Sequence, residues 1–257
     1  MIPVKVDLID STGAGSPDPA RIAATKLIYT KSTRLEQGRG TFERISVMSD
    51  EGIKKELEYM ANTIPSSWEM CNYTFQLKNV TRAFTHQFVR TRTGSYAQQT
   101  MRMLNKSEFT YRIPPRIKAL GKLSIEYQRY CKCMEYIQES YDSLISMGCE
   151  VEDARGVLPT NIHTNIIAQF NLRTIAEMSR SRTGLRTQDE YREVLEQMLA
   201  CVVEVHPWTE LFLFPEKLKN IKILEKFVTE QLGDGGVPED EKYTILKALD
   251  KIRKGED

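Results

Sequence analysis

The sequence predicts a mixed fold in which strands and helices share one core, and three observations carry that expectation. Cys71, Tyr73, Phe75 and Leu77 alternate with Asn72, Thr74, Gln76 and Lys78, the two-residue period of a strand with one buried and one wetter face. Val4, Val6 and Leu8 repeat the same period at the start of the chain. Helical spacing governs most of what remains, as in Ile53, Leu57 and Met60. With 257 residues, 40% of them hydrophobic and 28% charged, the chain has enough material for a sizeable core.

Taken in order, the opening strand at Val4–Leu8 runs into a Gly/Pro/Ser loop from Ser11 to Pro19. Asp18-Pro19-Ala20 then predicts a helix start with proline at its first position. Gln37 to Thr41 reads as a Gly-rich turn, and Ser49-Asp50-Glu51 as the cap of the Ile53–Met60 helix. Pro65-Ser66-Ser67 breaks the chain before the strand at Cys71–Lys78. Val80, Ala83, Phe84 and Phe88 switch to helical spacing, so a helix delivers Gln87 and Arg90 at its end and stops at Gly94.

Pro114-Pro115 opens a long helical stretch to about Met147, with a stripe of Leu120, Leu123, Tyr127, Tyr130, Met134, Ile137, Tyr141 and Leu144 that reads as core. A second helix is expected from about Asn161 to Arg182, ended by Thr183-Gly184. Thr187-Gln188-Asp189-Glu190 matches a capping box for a third helix, which buries Tyr191, Leu195, Met198, Leu199 and Val202 and stops at Pro207. Residues 1–214 are expected to form one domain, and 215–257 a charged, helical C-terminal extension interrupted by Gly233-Asp234-Gly235-Gly236.

Charge and cysteine usage exclude several classes of function. Thirty-six basic and 35 acidic residues leave a net charge of +1, unlike a general nucleic-acid binder. No apolar run approaches the roughly 20 residues of a membrane span, and the first residues lack the pattern of a secretory signal. The five cysteines contain no C-x-x-C and have no metal-ligand spacing with the three histidines. No metal site is expected, and reduced thiols in the cytoplasm are the default.

Between 70 and 107 there is not one Asp or Glu, so Lys78, Arg82, Arg90, Arg92, Arg102 and Lys106 stand uncompensated. Within that window Arg90-Thr91-Arg92-Thr93-Gly94-Ser95-Tyr96-Ala97-Gln98-Gln99-Thr100-Met101-Arg102 sets arginines among hydroxyl and amide side chains. Guanidiniums at such spacing are bidentate donors for phosphate or pyrophosphate. A second basic element runs from Arg173 to Arg186, and Arg155 lies between the two. Gly94 and Gly184 stand alone in their segments, so neither the P-loop nor the dinucleotide fingerprint is present. No nucleophilic side chain accompanies the arginines, so a cofactor must bring the chemistry.

Arg90-Thr91-Arg92-x-x-Ser95-x-Ala97-x-x-Thr100-x-Arg102 resembles the signature of the flavin-dependent thymidylate synthases, which reads Arg-His-Arg, two residues, Ser, one, Asn, two, Ser, one, Arg. The likeness extends through Ser67-Trp68-Glu69, Gln87-Phe88-Val89, Ala154-Arg155-x-Val157-Leu158-Pro159, Asn171-x-Arg173, Arg182, Gln188-x-Glu190-Tyr191-Arg192 and Pro207-Trp208-Thr209. It covers roughly Asp7 to Phe214. Thr91 stands where the family has His, Ala97 where it has Asn, Gln98 where Glu is usual and Thr100 where Ser is usual.

The resemblance implies an α+β fold, an antiparallel sheet flanked by helices, assembled as a homotetramer with sites between subunits. It implies FAD as cofactor, with NADPH and methylenetetrahydrofolate as co-substrates and dUMP as acceptor. By position, Gln87, Arg90, Gln98, Gln99, Thr100, Met101, Arg102, Arg155 and Arg182 would hold the nucleotide, with Arg182 catalytic at the uracil edge. Ser66, Arg90, Thr91, Arg92, Ser95, Gln98, Asn171, Arg173, Glu177 and Arg186 would contact the flavin nucleotide. The departures leave room for a relative acting on UMP or dCMP, for hydroxymethylation, and for a nucleotide-binding protein without catalysis.

Overall fold

The computed structural model describes residues 2–30, 41–63, 65–101, 109–182 and 187–214, with residues 224, 244 and 245 of the C-terminal segment. Its centre is a four-stranded antiparallel sheet: β1 (Lys5–Ser11), β2 (Asn72–Thr81), β3 (Ser95–Gln98) and β4 (His163–Asn171), in the order β1-β2-β4-β3. The fold is α+β, as expected. Tyr73, Phe75 and Leu77 of β2 and Ile166, Ala168 and Phe170 of β4 point into the core, while Asn72, Asn165, Gln169 and Ser95 lie exposed on the other face.

The core face is covered by helices whose ends are written locally. α1 (Pro19–Tyr29) starts where the Asp18 side chain accepts from the Arg21 N–H, with proline in the first turn. The short α2 (Phe42–Ser46) follows, and α3 (Asp50–Ala61) is capped by Ser49 as anticipated. Leu27, Ile28, Ile45, Leu57 and Met60 seal this side. Pro65 does not simply break the chain: Pro65–Met70 winds into a 3-10 turn that buries Trp68, whose indole N–H donates to the Met60 carbonyl at 3.0 Å.

β2 runs further than its alternation suggested, to Thr81, through a bulge at Asn79. Asn79 takes φ +58°, a left-handed conformation that asparagine tolerates, and its N–H donates to Asn165 Oδ1. Val80 therefore belongs to the strand, and α4 spans only Arg82–Phe88, with the Thr81 hydroxyl accepting from the Phe84 N–H. Gly94 does not stop that helix. It lies against Phe170, and the chain from Ser95 to Gln98 is edge strand β3, where the sequence had suggested no strand.

The expected helix at 114–147 is two helices, α5 (Pro115–Ala119) and α6 (Ile125–Ser146), separated at Gly121, whose φ of +84° no helix accommodates. Met134 and Tyr141 are buried on the inner face of α6, whereas Leu123 is 93% exposed. The helix expected from Asn161 to Arg182 is strand β4 followed by α8 (Leu172–Arg182), after the one-turn α7 (Val151–Ala154) and a 3-10 turn at Arg155–Val157. The apolar pair Ile166-Ile167 had hidden the strand period, since Ile167 points outward and is 38% exposed.

α9 (Asp189–Val205) buries Tyr191, Leu195, Met198, Leu199 and Val202 as expected, and α10 (Glu210–Leu213) closes the core with Phe212. Its capping box does not form. Gln188 is the cap residue but its side chain accepts no bond from the first turn of α9, and Glu190 turns inward, its carboxylate accepting from the Thr81 N–H at 2.7 Å and the Thr81 hydroxyl at 2.6 Å. No helix among the described residues is long and apolar enough to cross a membrane. The turn at 37–40, Thr183-Gly184 and nearly all of 215–257 lie outside the described residues.

Candidate active site

The organising element is α4. Although only Arg82–Phe88 are helical, successive positions reach different parts of the molecule, and Gln87, Gln98, Met101 and Arg155 lie on it or along its contacts. Its start is fixed by Thr81, which caps α4 and donates to buried Glu190. Burial raises the Glu190 carboxyl above its ordinary value, opposed by the hydrogen bonds from Thr81. The charge of Arg112 also favours the ionised form.

On one side, Arg82 and His86 line a cleft of about 260 Å³ with Met101, Arg155, Gly156, Leu158 and Thr160. The Arg82 pKa is lowered, first by burial and then by the charge of Arg155. Arg155 donates from Nε to the Glu152 carbonyl at 3.0 Å. Two cations facing one cleft describe a place for an anion. Next along the helix, Thr85 Oγ1 accepts from the Gln98 amide at 2.9 Å, while Gln99 on the following residue bonds Asn165 through both backbone and side chain. Thr100 is exposed.

The far end of α4 builds a second group. Gln87 Nε2 donates to Gln188 Oε1 at 3.0 Å, and Phe88 packs on Tyr191 and Tyr96 with ring centroids 5.9 and 5.7 Å apart. Tyr96 donates its hydroxyl to the Thr91 carbonyl at 2.7 Å, tying down the turn that carries Arg90, Thr91 and Arg92. Arg90 and Arg92 are exposed and make no ion pair among the described residues. Arg182, the last residue of α8, places its guanidinium carbon 5.6 Å from the Tyr191 ring centroid. The Tyr191 phenol is raised by burial and opposed by Thr91 and by the charge of Arg182, so Thr91, Tyr191 and Arg182 share one corner.

The third group sits at the start of α8. Asn171 accepts from the Thr174 N–H, and the Thr174 hydroxyl bonds that of Thr93 at 3.0 Å, so the arginine turn is fastened here too. Arg173 pairs with Glu69 at 2.8 Å and with Glu177 at 3.1 Å, and these two carboxylates hold it firmly charged. Exposed Ser66 lies in the same 3-10 turn as Glu69, and Ser95 pairs with Gln169 across the sheet.

Comparison with known proteins decides what this arrangement belongs to. The family model described as thymidylate synthase complementing protein matches residues 7–208. A flavin-dependent thymidylate synthase of Clostridium tetani is 34% identical over 224 residues, 79% of this chain and 84% of that protein. Those of Sulfurisphaera tokodaii and Sulfolobus acidocaldarius are each 31% identical, over 79% and 84% of this chain and 76% and 78% of their own lengths. The chain belongs to the flavin-dependent thymidylate synthase family.

Within that family's fold, Gln87, Thr91 and Arg182 are linked through Gln188 and Tyr191, and Asn171, Arg173 and Glu177 with the 65–70 turn form another group. Arg155 and Met101 line the cleft with Arg82 and His86 of α4. Arg102 and Arg186 lie outside the described residues. Reading the sequence did not identify Arg82, Gln188, Glu190 and Tyr191 as site residues. Their spacing is that of ordinary helix faces, and only the packing around α4 distinguishes them. Among the described residues no group of three His, Cys, Asp or Glu side chains could hold a metal ion.

Proposed function

We propose that the protein is an FAD-dependent methyltransferase that converts dUMP to dTMP, taking the carbon from methylenetetrahydrofolate and the reducing equivalents from NADPH, as a homotetramer whose sites draw on more than one chain. The balance is dUMP, methylenetetrahydrofolate, NADPH and a proton giving dTMP, tetrahydrofolate and NADP⁺. The observation that carries the reading is that Thr91 and Arg182 converge on Tyr191, next to the Gln188 that Gln87 bonds, in a chain of this family whose Arg90 and Arg92 make no ion pair among the described residues. Homologues bearing the name flavin-dependent thymidylate synthase support the acceptor.

The donor set fits the groups proposed for it. Exposed guanidiniums without acidic partners, together with Ser95 and the amide of Asn171, suit the pyrophosphate of FAD, and bound there the flavin supplies the hydride chemistry. Arg155 and Arg82 suit the nucleotide phosphate. Arg182 presents a planar fork to the N3–O4 edge of uracil. Negative charge stabilised there raises electron density at C5, so no enzyme nucleophile has to add to the ring. Cys71 agrees: it is buried, donates to the Ala23 carbonyl, and its thiol is pushed up to about 12, so it is no nucleophile.

Incubating FAD-reconstituted protein with dUMP, UMP and dCMP in separate reactions tests the acceptor. We expect NADPH oxidation that depends on dUMP. Oxidation that depends instead on UMP or dCMP would reassign the substrate, and nucleotide binding with no oxidation in any arm would support a non-catalytic homologue.

A further inference from the structure

Arg182 ends its helix with an exposed side chain, and an arginine in that situation ordinarily samples many rotamers. Here it has a platform. The guanidinium carbon lies 5.6 Å from the centroid of the Tyr191 ring, within reach of a cation–π contact. The ring is held firmly: Tyr191 is 1% exposed and packs against Phe84 at 5.4 Å and Phe88 at 5.9 Å, both on α4. Its backbone N–H donates to the Gln188 carbonyl, and the Gln188 side chain accepts from Gln87. The buried Tyr191 hydroxyl lies near Thr91 without a hydrogen bond of ordinary length. The aromatic face is the part in use.

We infer that Tyr191 is a positioning residue, whose π face fixes the Arg182 guanidinium and couples it through Phe84 and Phe88 to the α4 end that carries Gln87 and Arg90. The inference rests on the role proposed above for Arg182. A fixed guanidinium meets the uracil edge without first losing its rotamer freedom, so the contact acts on turnover more than on nucleotide binding.

The test places phenylalanine at 191 (Tyr191→Phe), then mono-, tri- and pentafluorophenylalanine at the same position in the full chain. Fluorine drains the negative face of the ring while nearly keeping its shape, so packing is preserved as the cation–π attraction is removed. The phenylalanine form should keep kcat within about twofold, and kcat should fall along the series to about tenfold, the equivalent of roughly 1.4 kcal/mol, with KM for dUMP changing less. In parallel, phenylglyoxal modification of Arg182, read by peptide mass mapping, should quicken along the series. Arg180, which lies over Trp68 at 5.7 Å, should keep its rate and serve as the internal control.

Tyr191→Leu should move both readouts in the same direction. Flat kcat and flat Arg182 labelling across the fluorinated series would overturn the inference. The labelling reports on Arg182 even if dUMP is not turned over, so a wild-type chain without activity but with a graded labelling response would sink the proposed reaction and leave the platform standing.

Discussion

Arg182 and His206 set the sharpest expectations for single side chains. Arg182 is exposed and outside the core, so Arg182→Lys should fold with an unchanged Tm. Steady-state assay should nevertheless show turnover reduced by about a hundredfold or more, the scale of losing one electrostatic donor to a developing charge, because lysine lacks the planar fork. Retained turnover would place the base-activating group elsewhere. His206 is fully buried, with Nδ1 2.8 Å from the Tyr73 hydroxyl and its ring stacked on Trp208. Burial lowers its pKa from 6.5 to about 4. The unfolded chain takes up this proton at a higher pH than the folded one, so the stability the group contributes is present above 6.5 and is lost as the pH falls through about 4. The loss is at most about 3 kcal/mol. Thermal melts between those pH values should slope more steeply for wild type than for His206→Gln; parallel slopes would contradict it. The signature arginines were legible as residues because an acid-free run of basic side chains is a chemical pattern. Tyr191 was not, because a buried aromatic at helical spacing has the same appearance whether or not a cation rests on it.

At the level of elements, α4 and β3 determine where the arginine turn sits. A Cβ at Gly94 would lie 2.3 Å from Phe170 Cε1 and 2.9 Å from the Tyr96 hydroxyl, the same hydroxyl that holds the Thr91 carbonyl. Gly94→Ala should therefore cost about 1–3 kcal/mol in denaturant unfolding and weaken FAD binding as the turn shifts. An unchanged midpoint would show that Phe170 can yield. Glu190→Ala removes the acceptor of the Thr81 N–H and hydroxyl and frees the cap of α4. It should cost about 1–3 kcal/mol for the buried donor left unpaired, and more than Glu190→Gln, which keeps one acceptor. Equal losses in the two variants would mean that the carboxylate is not what anchors α4. β2 could be read from its sequence because one face is wholly apolar. β4 could not, because Ile167 is apolar on the outer face, and β3 could not, because a four-residue edge strand of Ser, Tyr, Ala and Gln carries its pairing in the backbone. The apparent capping box failed for a related reason: Glu190 is drawn to Thr81, a partner far away in sequence, and tertiary bonding overrode the local motif.

For the molecule as a whole, one sheet face is packed under helices and the other, with Asn72, Asn165, Ile167 and Gln169, is exposed in a single chain. The arginines likewise lie in separate groups joined through α4 and α8, an arrangement suited to sites completed by neighbouring chains. Sedimentation velocity should give the mass of four chains, whereas a single-chain mass at the concentrations of assay would oppose intersubunit sites. The most direct measurement is mass spectrometry of the nucleotide after FAD-loaded protein has been incubated anaerobically with dUMP, methylenetetrahydrofolate and NADPH. The proposed chemistry predicts dTMP, formed only when all three are present and lost in Arg182→Lys. Unaltered dUMP beside fully loaded, folded protein would contradict it.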